Sequence, residues 1–235
     1  MIRVIKAEQR HTRNVGWLQT AWLFSFDEYY DPSNIQFGAL RVFNDDTIQP
    51  GKGFPGHPHR EAEIITIPLS GAITHQDNMG NTGTIPAGDV QRMTAGTGVV
   101  HAEMNTGNEP VHLYQIWFIP DTPSLPPSYA QRHFAADEWH NRLLPIASGR
   151  GLPNTVPFHT DATIFRGDFD HGVTFNYPID NYRCIFIYLT AGSITVNGIR
   201  LATHDQARIS KEQSLDIHVN ETASLVLIDL PPCER

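Results

Sequence analysis

Two pairs of metal-donor residues constrain this chain more than any other feature. His57-Pro58-His59 and His101-Ala102-Glu103 each set two donors two residues apart. On an extended strand, residues at that spacing project to the same face. The long gap between the pairs then calls for two strands that are distant in sequence and adjacent in space. Three imidazoles and a carboxylate suit one divalent transition metal.

The surrounding pattern is that of a β protein. Short extended runs recur at residues 40–43, 62–69, 72–76, 90–94 and 112–119, and Gly80-Asn81 reads as a hairpin connection. Helical periodicity is scarce; residues 129–139 and 202–210 lack an amphipathic stripe. The segment 120–127 carries four prolines, which suit an extended connector rather than a central strand. Further runs follow at 183–189, 193–196, 199–201, 215–219 and 224–230, with Ala191-Gly192 and Asn197-Gly198 supplying turns. This predicts an all-β chain of two domains, residues 1–125 carrying the metal cluster and residues 126–235 carrying none. His204, His218, Asp205 and Asp216 form no comparable same-face set.

Composition narrows the partners. The 235 residues suffice for a sizeable core, and a formal charge of −8 offers no general attraction to nucleic acid. No apolar run is long enough to span a membrane, and the first residues lack the apolar core of a signal peptide. The expected location is the cytoplasm, with Cys184 and Cys233 as reduced thiols. Arg3, Lys6, Arg10 and Arg13 make a mildly basic N-terminal stretch that reads as a solvated face.

Around the donors the sequence resembles the cupin superfamily. His57-x-His59, three residues, Glu63 and a later glycine match the first cupin motif; Pro86-x-Gly88, His101 and Asn105 resemble the second with a longer internal spacing. That spacing, with Met93-Thr94-Ala95-Gly96-Thr97-Gly98 leading into His101-x-Glu103, is similar to the pirin family. Phe24-Ser25-Phe26 and the following residues 27–32 resemble that family's N-terminal signature, although Trp22-Leu23 stands where His-Thr is expected. The resemblance implies a bicupin of two β-barrel or jelly-roll domains with His57, His59, His101 and Glu103 as metal ligands. A general cupin reading would choose Glu63 as the carboxylate instead, and Glu61 and Glu63 share the parity of the first histidine pair. Glu103 is preferred because His101-x-Glu103 is same-face by construction. The other nine histidines read as surface or hydrogen-bonded core residues; His75 and His112 can lie near the site, but the reading gives neither a same-face donor two residues away.

The donor set contains no thiolate, unlike most closed structural zinc sites. It suits Fe(II), with Mn, Ni, Co or Zn as alternatives. The family resemblance implies a dioxygenase that opens a flavonol such as quercetin at the 2,3 bond with O₂. Glu103 would be the catalytic base; Phe54, Met93 and Phe118 are candidates for the wall of a pocket for the small aromatic substrate, with plain core the favoured reading of each. It also implies a different class of function: a non-enzymatic iron-binding redox sensor or transcription cofactor acting through a protein partner. A metal-dependent isomerase or a decayed cupin is a third reading. The chain is expected to be a monomer.

Overall fold

A computed structural model describes residues 1–180 and 182–233. Strands dominate, and the helical content is two short 3₁₀ turns, Ala7–Gln9 and Ala136–Trp139. In chain order the first strands are β1 (Ile2–Ile5), β2 (His11–Asn14), β3 (Leu18–Trp22) and β4 (Leu40–Ile48). There follow β5 (Gly53–His59), β6 (Glu63–Ser70), β7 (Ala72–Asp77) and β8 (Thr82–Pro86). Next come β9 (Asp89–Thr94), β10 (Val99–Met104), β11 (Val111–Phe118) and β12 (Ser128–His133).

Strands β2 to β12 form two sheets, a seven-stranded one ordered β12-β9-β6-β11-β4-β3-β2 and a four-stranded one ordered β5-β10-β7-β8. The sheets face each other: Leu18, Ile48, Val111 and Leu113 of the larger pack with Ile73 and Ile85 of the smaller. Burying each such side chain contributes about 1.5–3 kcal/mol. The larger sheet is covered on its other face too. Ile65 and Ile67 of β6, Phe43 of β4 and Tyr114 and Ile116 of β11 join a core with Phe186, Tyr188 and Ile228 of the C-terminal half. Burial on both faces explains why β6 reads as a nearly unbroken apolar run instead of alternating.

The C-terminal half supplies β13 (Leu144–Ser148), β14 (Val156–Pro157), β15 (Thr163–Phe169), β16 (Thr174–Pro178), β17 (Cys184–Val196), β18 (Ile199–Ala202), β19 (Gln206–Ile209) and β20 (Ser214–Leu230). Together with β1 they make a third sheet of nine strands among the described residues. The two halves are laced together. Near the N-terminus, β1 pairs with β19, Ile2 opposite Ile209, while β12, beyond the proline-rich connector, pairs with β9 of the N-terminal half. Polar contacts seal the seam: Tyr188 donates to Asp45 at 2.6 Å, and Arg92 donates to the Pro157 carbonyl at 2.8 Å. Among the described residues no helix is long and apolar enough to cross a membrane.

Two sequence expectations change here. The runs expected at 183–189 and 193–196 are one strand, β17, as are those at 215–219 and 224–230 in β20. Ala191-Gly192 is therefore an irregularity within the β17–β20 ladder, not a hairpin. Gly192 has φ 80°, and a Cβ there would lie 2.1 Å from the Thr222 carbonyl oxygen, so the chain crosses its partner too closely for a side chain. Asn197-Gly198, by contrast, is the expected tight turn, both residues with positive φ (46° and 81°) between Val196 and Ile199. The second change concerns the cysteines. Cys184 and Cys233, expected as reduced thiols, are paired as a disulfide with Cα atoms 5.9 Å apart, a proximity that their 49-residue separation conceals in the sequence.

Two predictions follow from close approach and burial. Gly53 opens β5 with φ 156°, and a Cβ there would lie 2.1 Å from the Glu103 carbonyl oxygen. Gly53→Ala is expected to destabilise the fold by more than about 1 kcal/mol, read from its denaturant midpoint. Asp46, only 3% exposed, is pushed up to about 7 by burial, with Asp45 and Glu103 adding to the rise. Its folded value lies above the unfolded value of about 3.9, so its contribution to stability is complete below that pH and is lost as pH rises through about 7. Asp46→Asn should gain on the wild type across that window by a few kcal/mol; equal pH dependence of the two unfolding curves would refute it.

Candidate metal centre

The four-stranded sheet assembles the donors. Strand β10 lies between β5 and β7, with His101 opposite His57 on one side and opposite Asp77 on the other. Val99 faces His59, and the β5 ladder shifts register between His101 and Glu103. His57, His59 and His101 offer ring nitrogens that all lie within 4.8 Å of one another. The ring centroids of His57 and His101 are 4.4 Å apart, and those of His59 and His101 are 4.9 Å apart. The structure thus brings together the three histidines singled out by their spacing.

Their hydrogen bonding suits a cation. His57 Nδ1 donates to the Pro55 carbonyl at 2.8 Å, which leaves Nε2 as the lone-pair nitrogen. The Nε2 atoms of His59 and His101 are buried without a hydrogen-bond partner. Orphaned buried nitrogens are costly, and a metal ion would satisfy them. Burial, reinforced by the charge of His57, pushes the His59 ring down to about 4. Burial again, then His57, His59 and His75, pushes His101 to about 2. At neutral pH both are therefore neutral imidazoles, the form that coordinates metals.

The carboxylates separate by environment. Glu103 is 2% exposed and accepts hydrogen bonds from Thr66 Oγ1 at 3.2 Å and Gln115 Nε2 at 2.5 Å, both on the facing sheet. Burial holds its carboxyl above the usual range. It groups with His101 and His75 in a second trio whose donor atoms also lie within 4.8 Å of one another. Glu63 sits elsewhere, accepting from Thr94 Oγ1 at 3.1 Å and from the His159 backbone at 3.2 Å. Glu61 turns out of the strand with φ 49° and accepts from the Ser124 amide. His112 pairs with Asp45 at 2.6 Å, away from the cluster. His75 is fully buried beside His101, a placement signalled by Asp77 two residues on, which makes His75-x-Asp77 a third same-face pair.

His57, His59 and Glu103 line a cavity of about 780 Å³, a volume typical of small-molecule sites, and His101 lies buried behind the two rings. One wall is aromatic. Trp117 meets the His59 ring edge-on at 4.7 Å, Phe26 meets Trp117 at 5.4 Å, and Trp22 meets Phe26 at 5.6 Å. Trp22 is thus a wall residue that the departure from the family pattern did not reveal. Polar groups from the larger sheet, Asn44, Asp46 and Gln115, line the same cavity. Of the three apolar candidates for its wall, Phe54 lines it; Met93 and Phe118 are packed in apolar clusters because their strands point those positions away.

Comparison with known proteins places this geometry. The family model described as Pirin matches residues 4–118, and the Quercetinase C-terminal cupin domain matches residues 145–230. A quercetin 2,3-dioxygenase of Escherichia coli (strain K12) is 40% identical over 99% of this chain and 100% of its own. A Pirin-like protein of Caulobacter vibrioides is 43% identical over 91% of this chain and 93% of its own. The crystal structure of the bacterial pirin YhhW from Escherichia coli in complex with nickel(II) superposes with a TM-score of 0.93 at 39% identity, covering 99% and 100% of the two chains. The architecture is accordingly that of two cupin domains, and with relatives matched over nearly their whole length this chain belongs to the pirin family.

Proposed function

We propose that the chain is a metal-dependent dioxygenase cleaving a flavonol such as quercetin at the 2,3 bond with O₂. The observation that carries this reading is the orphaned pair of Nε2 atoms on His59 and His101, in a histidine trio whose His57 and His59 line an aromatic-walled cavity. His57, His59, His101 and Glu103 would hold one divalent metal in the N-terminal half, residues 1–125, while residues 126–235 complete the shared core without a metal. Fe(II) is the ion chosen, since imidazole and carboxylate donors suit it; the nickel(II) complex of YhhW shows that a relative accepts another divalent ion. When bound, the metal supplies Lewis acidity to a deprotonated substrate hydroxyl and an open position for O₂.

The protein's own groups define the rest. Trp22, Phe26, Phe54 and Trp117 offer faces and edges on which a planar aromatic substrate can stack. Glu103, whose proton affinity is raised by burial, is the base for the substrate hydroxyl, and Thr66 and Gln115 hold its oxygens in place. The dry environment that raises Glu103 also limits water at the reacting atoms.

Protein loaded with Fe(II), and separately with Mn, Ni, Co or Zn, is expected to bleach quercetin with matching O₂ uptake. His101→Ala should cut that turnover by about 100-fold or more while the circular-dichroism spectrum stays unchanged. Full activity of metal-free protein would eliminate the mechanism, and inactivity with every ion would favour the redox-sensing alternative. A separate readout avoids turnover: at a free metal concentration of about 100 Kd, the wild type should gain about 2.7 kcal/mol of stability. His101→Ala should lose that gain.

A further inference from the structure

We propose that Asp77, His75 and His101 form a buried positioning relay that fixes the ring tautomer of His101, so that its Nε2 offers a lone pair to the centre it shares with His57 and His59. The inference rests on the reading of His101 as a metal ligand. It concerns two residues, His75 and Asp77, that contribute nothing to the histidine trio itself.

The relay starts in the turn between β7 and β8. Asp77 Oδ1 accepts from the backbone amides of Met79 at 3.0 Å and Asn81 at 2.9 Å, and Oδ2 accepts from Asn81 Nδ2 at 2.8 Å. His75 Nε2 lies 3.2 Å from Oδ2. An ionised carboxylate only accepts, so His75 must carry its proton on Nε2. A neutral imidazole has one N–H, which makes His75 Nδ1 an acceptor. That nitrogen faces His101 Nδ1 at 3.4 Å, so His101 is the donor there. Its remaining nitrogen, Nε2, is then unprotonated and is one of the two orphaned atoms of the histidine trio.

The opposite tautomer fails on two counts. It would set two lone pairs against each other between His75 and His101. It would also bury an N–H at His101 Nε2, where no acceptor lies in hydrogen-bonding reach. His75 is fully buried, and both of its nitrogens are engaged, so the chain has no competing arrangement through water. His57 receives the same service differently, through the Pro55 carbonyl. The consequence is that a surface turn held by Asn81 sets the basicity and aim of a nitrogen at the far end of two rings.

Asp77→Asn tests this with almost no change of shape. Its carbonyl oxygen would keep the two backbone donors, which leaves the new NH₂ group facing His75 Nε2 and the Asn81 side chain, whose amide turns over to present its oxygen. Donation from that group would move the His75 proton to Nδ1 and drive the His101 proton to Nε2. Ring-nitrogen NMR of isotope-labelled, chelator-treated protein reads the tautomers directly. The wild type should show His101 protonated on Nδ1, and Asp77→Asn should show the reverse. Titration with nickel(II) alone should then give an affinity about 10- to 100-fold weaker in Asp77→Asn, at unchanged melting temperature. His75→Gln, whose side-chain oxygen can still accept from His101 Nδ1, should retain most of the wild-type affinity.

Wild-type His101 protonated on Nε2 would overturn the relay, whether or not either variant folds. So would a folded Asp77→Asn with unaltered tautomers and nickel affinity. The predicted tautomers in a protein that binds no nickel(II) would instead overturn the ligand assignment and leave the relay standing.

Discussion

Everything in the N-terminal half depends on a sheet that is buried on both faces. Along β11, Tyr114 and Ile116 enter the core shared with the C-terminal half, while Gln115 turns to the cavity. Along β4, Phe43 joins that core and Asn44 and Asp46 face the cavity. Strand parity therefore assigns each residue to one of two interiors of opposite character. A slip of one residue would put Gln115 and Asn44 into the aromatic core and Tyr114 into the cavity. The aromatic cluster of Phe43, Tyr114, Phe186 and Tyr188 resists that slip, with centroids 5.0 to 5.5 Å apart around Phe43. The C-terminal half thus acts on the site without contributing to the histidine trio, by clamping the sheet from behind.

The same alternation explains how neighbouring carboxylates acquire opposite properties. Asp45 faces the seam between the halves, where burial is outweighed by hydrogen bonds from His112 and Tyr188 and the carboxyl falls below its usual range. Asp46, one residue on, faces the cavity and is pushed up. Glu103 and Asp46 are therefore two raised acids in one cavity, each disfavouring the charge of the other. A cation among the histidines would offset that repulsion, which makes the empty electrostatics of the site favourable to a metal as well as its donors.

Much of this was legible in the chain. The strand rhythm, the Asn197-Gly198 turn and the two donor pairs all follow from local rules, because period-two alternation and positive-φ turns act over a few residues. The reading that Glu103 and not Glu63 accompanies the histidines also began as a parity argument. It gained force only when β6 was seen to carry Glu63 to the seam, against Thr94 and His159. His75 is named near the site from the sequence but denied a same-face donor, although His75-x-Asp77 has the spacing of the other pairs; its placement beside His101 requires β7 to flank β10, a pairing that no local pattern specifies. Ala191-Gly192 misled for a related reason. Glycine permits both a turn and a close crossing, and the residue type alone does not distinguish them.

The sequence by itself determined that the chain is β-rich, that three histidines can share a face, and that both donor pairs fall in the N-terminal half. Those conclusions rest on alternation and residue type, which are local properties. The tertiary structure decided which residues stand around the donors: Trp22 and Trp117 as walls, Gln115 and Thr66 against Glu103, and Asp77 and His75 behind His101. It also decided that Cys184 meets Cys233 and that β1 crosses to the distant sheet. Each of these is a contact between segments far apart in the chain, chosen by the joint packing of two interiors rather than by any short stretch of residues.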